Sequence, residues 1–134
     1  MTSMTTHTDH ATTFTKAYND CAQAKRHEPG RDWKAFLYVV TSLPGLWANV
    51  EPCLDYARDT AKLSPGHFGY LSSGEGLLLD VARSLYQGSG QVDLAALASV
   101  LDDRTWQVVV DAFHIYRTNK LPPAPPSAAD TAAA

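Results

Sequence analysis

Apolar residues along this chain recur at helical spacing in most segments, and polar or turn-forming residues punctuate them. The strongest pattern lies between Phe68 and Gly90. Ser72 and Glu75 have the S-x-x-E spacing of a capping box, in which the Ser side chain accepts from a helical N–H and the Glu reaches back to the cap. Leu78, Val81, Ala82 and Leu85 follow at i, i+3, i+4 and i+7, one face of a helix. Gly88 and Gly90 can supply the left-handed backbone that ends it. This segment is expected to be the helix the others pack against, with Leu78, Val81 and Leu85 in the core.

The same logic predicts the remaining elements. Phe14, Ala17, Tyr18 and Cys21 form a stripe from a cap at Thr12 or Thr13 to a basic end at Lys25, Arg26 and His27, before Pro29-Gly30 stops the helix. Trp33, Phe36, Leu37 and Val40 follow an Asp32 cap; the aromatic and β-branched run 36–40 also suits a buried strand, but the cap and spacing favour a helix. Pro52 is placed in the first turn of a helix running to about Lys62. Asp93 caps a short helix with Leu94, Leu97, Ala98 and Leu101 inward. Asp102 or Asp103 caps the last one, with Trp106, Val109, Val110 and Phe113 inward, Tyr116 continuing the stripe and Asn119 ending it. The expectation is all-α: a single small helical bundle of five or six helices over residues 13–120. Thr-rich residues 1–12 and Pro/Ala-rich residues 121–134 are read as disordered tails.

A length of 134 residues allows one domain with a real core. No apolar run approaches the roughly 18–20 residues that span a bilayer, and the N-terminus lacks the basic start and apolar middle of a secretory signal. A cytoplasmic protein without membrane attachment is expected, with Cys21 and Cys53 as thiols. The net charge of −3 is unevenly spread: residues 1–66 hold seven Lys/Arg and seven Asp/Glu, and residues 67–134 four and seven. With no basic surplus to meet a phosphate backbone, nucleic-acid binding is disfavoured.

Signals of chemistry are sparse. LSSGEGLLLDVARSL is similar to the LSGGQ signature of ABC-transporter ATPases, in which small residues let a phosphate approach a helix N-terminus. The chain has no G-x-x-x-x-G-K-[ST] loop, and Glu75 puts a negative charge where a phosphate would sit, so capping accounts for these residues. His7 and His10 have H-x-x-H spacing without two further ligands near them in sequence; His27, His67 and His114 are single, so no metal and no cofactor are expected. Cys53 with His67 or His114 lacks any local nucleophile signature, which disfavours an enzyme. Lys120, Pro123 and Pro126 match a short polyproline-ligand pattern that arises easily by chance.

Two functional readings remain. The first is a small non-enzymatic accessory or regulatory protein acting through protein–protein contact, with a partner protein or a homodimer. Tyr38, Trp47, Phe68 and Tyr70 lie at loops or off the main stripes, and exposed aromatics are enriched at interfaces. The second is a helix-turn-helix regulator reading DNA through residues 94–118, with Arg104, Gln107, His114 and Arg117 toward the groove. Asp102 and Asp103, at the end of the helix that would enter the groove, count against it. Nothing in the sequence points to a particular small molecule.

Overall fold

A computed structural model describes residues 2–63, 71–88 and 91–122. The chain is all-α, with six helices among these residues: α1 (Thr2–Lys25), α2 (Arg31–Val40), α3 (Pro44–Val50), α4 (Ser73–Gln87), α5 (Leu94–Val100) and α6 (Asp103–Thr118). Between α3 and α4 lie one 3-10 turn, Glu51–Cys53, and a two-stranded antiparallel hairpin of β1 (Leu54–Asp55) and β2 (Thr60–Ala61). Its register pairs Leu54 with Ala61 and Asp55 with Thr60. None of the described helices is long and apolar enough to cross a membrane.

The organising helix is α2, not α4. Every residue from Trp33 to Val40 is buried, and α2 lies between α4 and α6. A helix apolar over most of its surface has to be enclosed, so the dense 36–40 run that could have been a strand is instead the bundle's axis. Trp33 stacks edge-on to Phe36, Tyr56 and Tyr86, with ring centroids 4.9–5.7 Å apart. From α4, Leu78, Leu79, Val81 and Ala82 are buried, and Leu85 is half-buried against them. The α5 side contributes Leu97.

Local chemistry sets the helix ends. Ser72 Oγ accepts from the Glu75 N–H at 3.2 Å, and Glu75 Oε1 accepts from the Ser72 N–H at 2.9 Å, the two halves of the capping box. The other Glu75 oxygen leaves no room at Gly45, where a Cβ would meet Oε2 at 2.5 Å. Gly88 closes α4 at φ 66°. Asp93 accepts from the Ala96 N–H at 3.0 Å and Asp102 from the Thr105 N–H at 2.8 Å, starting α5 and α6. Asn119 ends α6 at φ 60°.

Lys34 ties that last end to the core. Its side chain is buried, and Nζ donates to the backbone O and Oδ1 of Asn119 at 3.1 and 3.0 Å while pairing with Glu28 Oε1 at 2.7 Å. A cation there complements the negative end of the helix dipole. The ammonium holds the Glu28 carboxyl below its ordinary range.

On α5, Leu94 and Ala98, expected inward, are exposed, Leu94 by 71%. Three expectations about helix boundaries also need correction. First, α1 does not start at Thr12 or Thr13; it begins at Thr2, and His10 is buried, so the packed domain reaches back to His10. Second, the helix expected from Pro52 to Lys62 is replaced by the 3-10 turn and hairpin. There Asp55 Oδ1 accepts from the Arg58 N–H at 3.2 Å and Asp59 adopts a left-handed φ of 56°, local bonding that competes with a helix. Third, α2 is capped at Gly30 rather than Asp32. The predicted loop 64–66, Gly90 and most of the C-terminal tail lie outside the described residues.

Candidate functional site

Helix α6 carries the feature the sequence placed on the wrong side. Its inner face is Thr105, Val108, Val109, Ala112 and Ile115, all buried. Trp106, Val110 and Phe113, expected in the core, are 42%, 41% and 48% exposed, and Tyr116 is 37% exposed. At 100° per residue, Trp106, Val110, Phe113 and Arg117 form one narrow stripe along the outside of the helix. From α2, Tyr38 reaches Asp111 of α6, whereas Trp33 and Phe36 turn toward Tyr86 of α4; the inward face of α6 is built of small and β-branched residues. The large aromatics are left outward. Two adjoining apolar stripes share Val109, so the apolar arc of α6 is wider than the face buried in the bundle.

Polar contacts fix the orientation of α6. Tyr38 Oη donates to Asp111 Oδ2 at 2.9 Å, and Gln107 Nε2 donates to Asp111 Oδ1 at 2.9 Å. Arg104 donates to the Ser42 carbonyl at 3.0 Å. Burial first, and then the Asp111 charge, push the Tyr38 phenol well above its ordinary range. His10 Nε2 donates to the Tyr38 carbonyl at 2.9 Å, with the rings 4.8 Å apart, and its Nδ1 is buried without a partner. Burial lowers the His10 pKa to about 4. These bonds hold the exposed stripe on a rigid element.

The residues expected at an interface are placed differently. Tyr38 is fully buried and serves the cluster just described, which removes it as a surface candidate. Trp47 is half-buried, in a groove of about 280 Å³ between α1 and α3 with Lys16, Asp20 and Glu51. Phe68 and Tyr70 lie outside the described residues. Ser72 and Glu75 are occupied by capping. Leu78, Val81 and Leu97 are buried.

Other possible chemistry is dispersed. Of the proposed DNA-reading residues, Arg104 and Gln107 are engaged within the fold, while His114 and Arg117 are exposed. Asp102 accepts from Thr105 backbone and hydroxyl, which holds its carboxyl below the usual range and keeps it negative at the helix N-terminus. Cys21 is buried and its thiol is pushed up to about 11 by burial; Cys53 is half-buried. Among the described residues no group of three or more His, Cys, Asp or Glu stands together as a metal cluster. A second groove, about 420 Å³ between α4 and α5, presents Leu77, Asp80, Arg83 and Val100. Arg83 Nε there is buried without a partner, and burial raises the Asp80 carboxyl.

Among the described residues, fold and surface give a small helical bundle in which α6 turns an aromatic face outward. No family model, curated protein or solved structure matches this chain.

Proposed function

We propose that this chain is a small non-enzymatic accessory or regulatory protein that acts through protein–protein contact, with the outer face of α6 as the contact surface. One observation carries the reading: Trp106, Val110 and Phe113 stand together on a rigid helix with 41–48% of each exposed. Leaving apolar area in water forgoes about 25 cal/mol for each Å². Contiguous exposed patches rimmed by polar groups mark interaction sites more often than isolated exposed residues do. Tryptophan and other aromatics are enriched among residues that dominate binding energy. Asp103, Gln107, His114 and Arg117 form the polar rim.

A photo-crosslinking side chain at position 106 tests it in a native extract, with one at exposed Arg58 as the control. The position-106 probe should capture a protein that the control does not, and Phe113→Glu should abolish the capture. Equal capture from both positions, or none from 106, would refute the reading.

A further inference from the structure

We infer that the occupant of the α6 face is a second copy of this chain, docked antiparallel about a two-fold axis through Val110. This rests on the contact-surface reading above and names its partner. The argument is charge placement. Asp103 lies seven residues before Val110 and Arg117 seven residues after it, both on the outward side of α6. Both are exposed, and neither side chain makes a hydrogen bond or ion pair among the described residues.

An isologous interface requires a surface complementary to itself, so each feature must find its match at an equal distance on the other side of the axis. Here, seven residues are roughly 10 Å of helix rise on each side of the axis. Antiparallel docking therefore sets Asp103 of each copy beside Arg117 of the other, twice per dimer. Trp106, four residues before the axis, falls beside Phe113 and His114 of the second copy, and the two Val110 side chains meet at the centre. Parallel docking would set Asp103 against Asp103 and Arg117 against Arg117, a repulsive arrangement. The helix dipoles also favour the antiparallel pair.

Light scattering across a concentration series up to several hundred micromolar reads the result. The wild-type chain should approach twice its 14.6 kDa mass. Asp103→Arg alone and Arg117→Asp alone should each raise the dimer dissociation constant roughly tenfold or more, because each leaves two like-charge contacts. An equimolar mixture of the two variants should dimerise again, because both contacts are then complementary. Far-UV circular dichroism checks that each variant is folded. If a reversal does not fold, Val110→Cys in a Cys53→Ser background replaces it and should give a reducible dimer on air oxidation.

A wild-type chain that stays monomeric overturns the inference, whether another protein or the chain's own residues 123–134 take the face. A dimer indifferent to both reversals, a mixture that does not recover, or a Val110→Cys chain that stays unlinked overturns it as well. Monomeric behaviour with position-106 capture of a different protein would sink the homodimer and leave the contact-surface reading standing.

Discussion

Protonation of His10 should weaken the fold at mildly acidic pH, and the size of the effect follows from the site. The imidazole donates from Nε2 to the Tyr38 carbonyl at 2.9 Å, so Nδ1 is the acceptor nitrogen, buried without a donor. Adding a proton at Nδ1 creates a buried cation whose new N–H has no acceptor. Of the nearby charges, Arg104 opposes the cation and Asp111 favours it, and burial outweighs both, lowering the pKa from 6.5 to about 4. In the unfolded chain the ring takes up its proton near 6.5. Between those values the unfolded state binds more protons, so stability is full above pH 6.5 and falls as pH drops toward 4. At about 1.4 kcal/mol per pH unit the whole displacement is worth about 3 kcal/mol. About 2 kcal/mol of it should be lost between pH 7 and pH 5, before most carboxylates titrate. Urea unfolding at pH 7 and pH 5 gives the measurement, with His10→Gln as a reference that keeps an amide donor and cannot titrate. The wild type should lose about 2 kcal/mol more than the variant over this interval. Equal losses, or an NMR titration placing the His10 ring near 6.5, would refute the reasoning.

Other outcomes follow from single residues. Lys34→Met should cost about 1–3 kcal/mol in urea unfolding, because it removes charge-assisted bonds at the C-terminus of α6; an unchanged midpoint would mean that desolvating the ammonium offsets its bonds. Deleting residues 1–12 should lower stability by more than about 1 kcal/mol and remove the pH 7-to-5 loss assigned to His10, as the same assay would read. Val81→Asp should leave the chain without a cooperative thermal transition, since it buries an unpaired charge beside α2. Native protein titrated with a thiol reagent should react first at Cys53, with Cys21 modified only on unfolding.

Much of the fold was legible because helix punctuation is local. Ser72 with Glu75, Asp93, Asp102 and Asn119 each act within a few residues of where they stand, so their roles can be read without knowing the tertiary contacts. His10 shows the opposite case. Its neighbours in sequence, Asp9 and Ala11, give no sign of burial, and the contacts it makes are with the distant Tyr38 carbonyl and ring. The hairpin was hidden for a related reason: strands of two residues are too short to show alternation, and the Asp59 contacts that fasten it come from elsewhere. Asp59 Oδ1 accepts from Trp33 Nε1 and, at 2.8 Å, from Lys25 Nζ, while Tyr86 Oη donates to its carbonyl at 2.8 Å.

The misplacement of α6 has a more general cause. Periodicity identifies a helix and shows that it has an apolar face; it does not rank two apolar faces against each other. Trp106, Val110 and Phe113 satisfy the i, i+4, i+7 rule as well as Thr105, Val109 and Ala112 do, and a scale that rewards size prefers the aromatics. Packing applies a different criterion. On the side of α2 that faces α6, Lys34 and Tyr38 are buried and bonded to Asn119 and Asp111, and the inward face of α6 carries small and β-branched side chains. Long buried side chains from α2 leave room there for short ones from α6, and the α6 aromatics stand at the surface. When a helix offers a bulky stripe beside a small one, both satisfy the helical period, and the neighbouring helix decides between them. For α6 that neighbour is α2, more than sixty residues away in the chain, so the outward face between Asp103 and Arg117 emerges from the tertiary contact and not from the period.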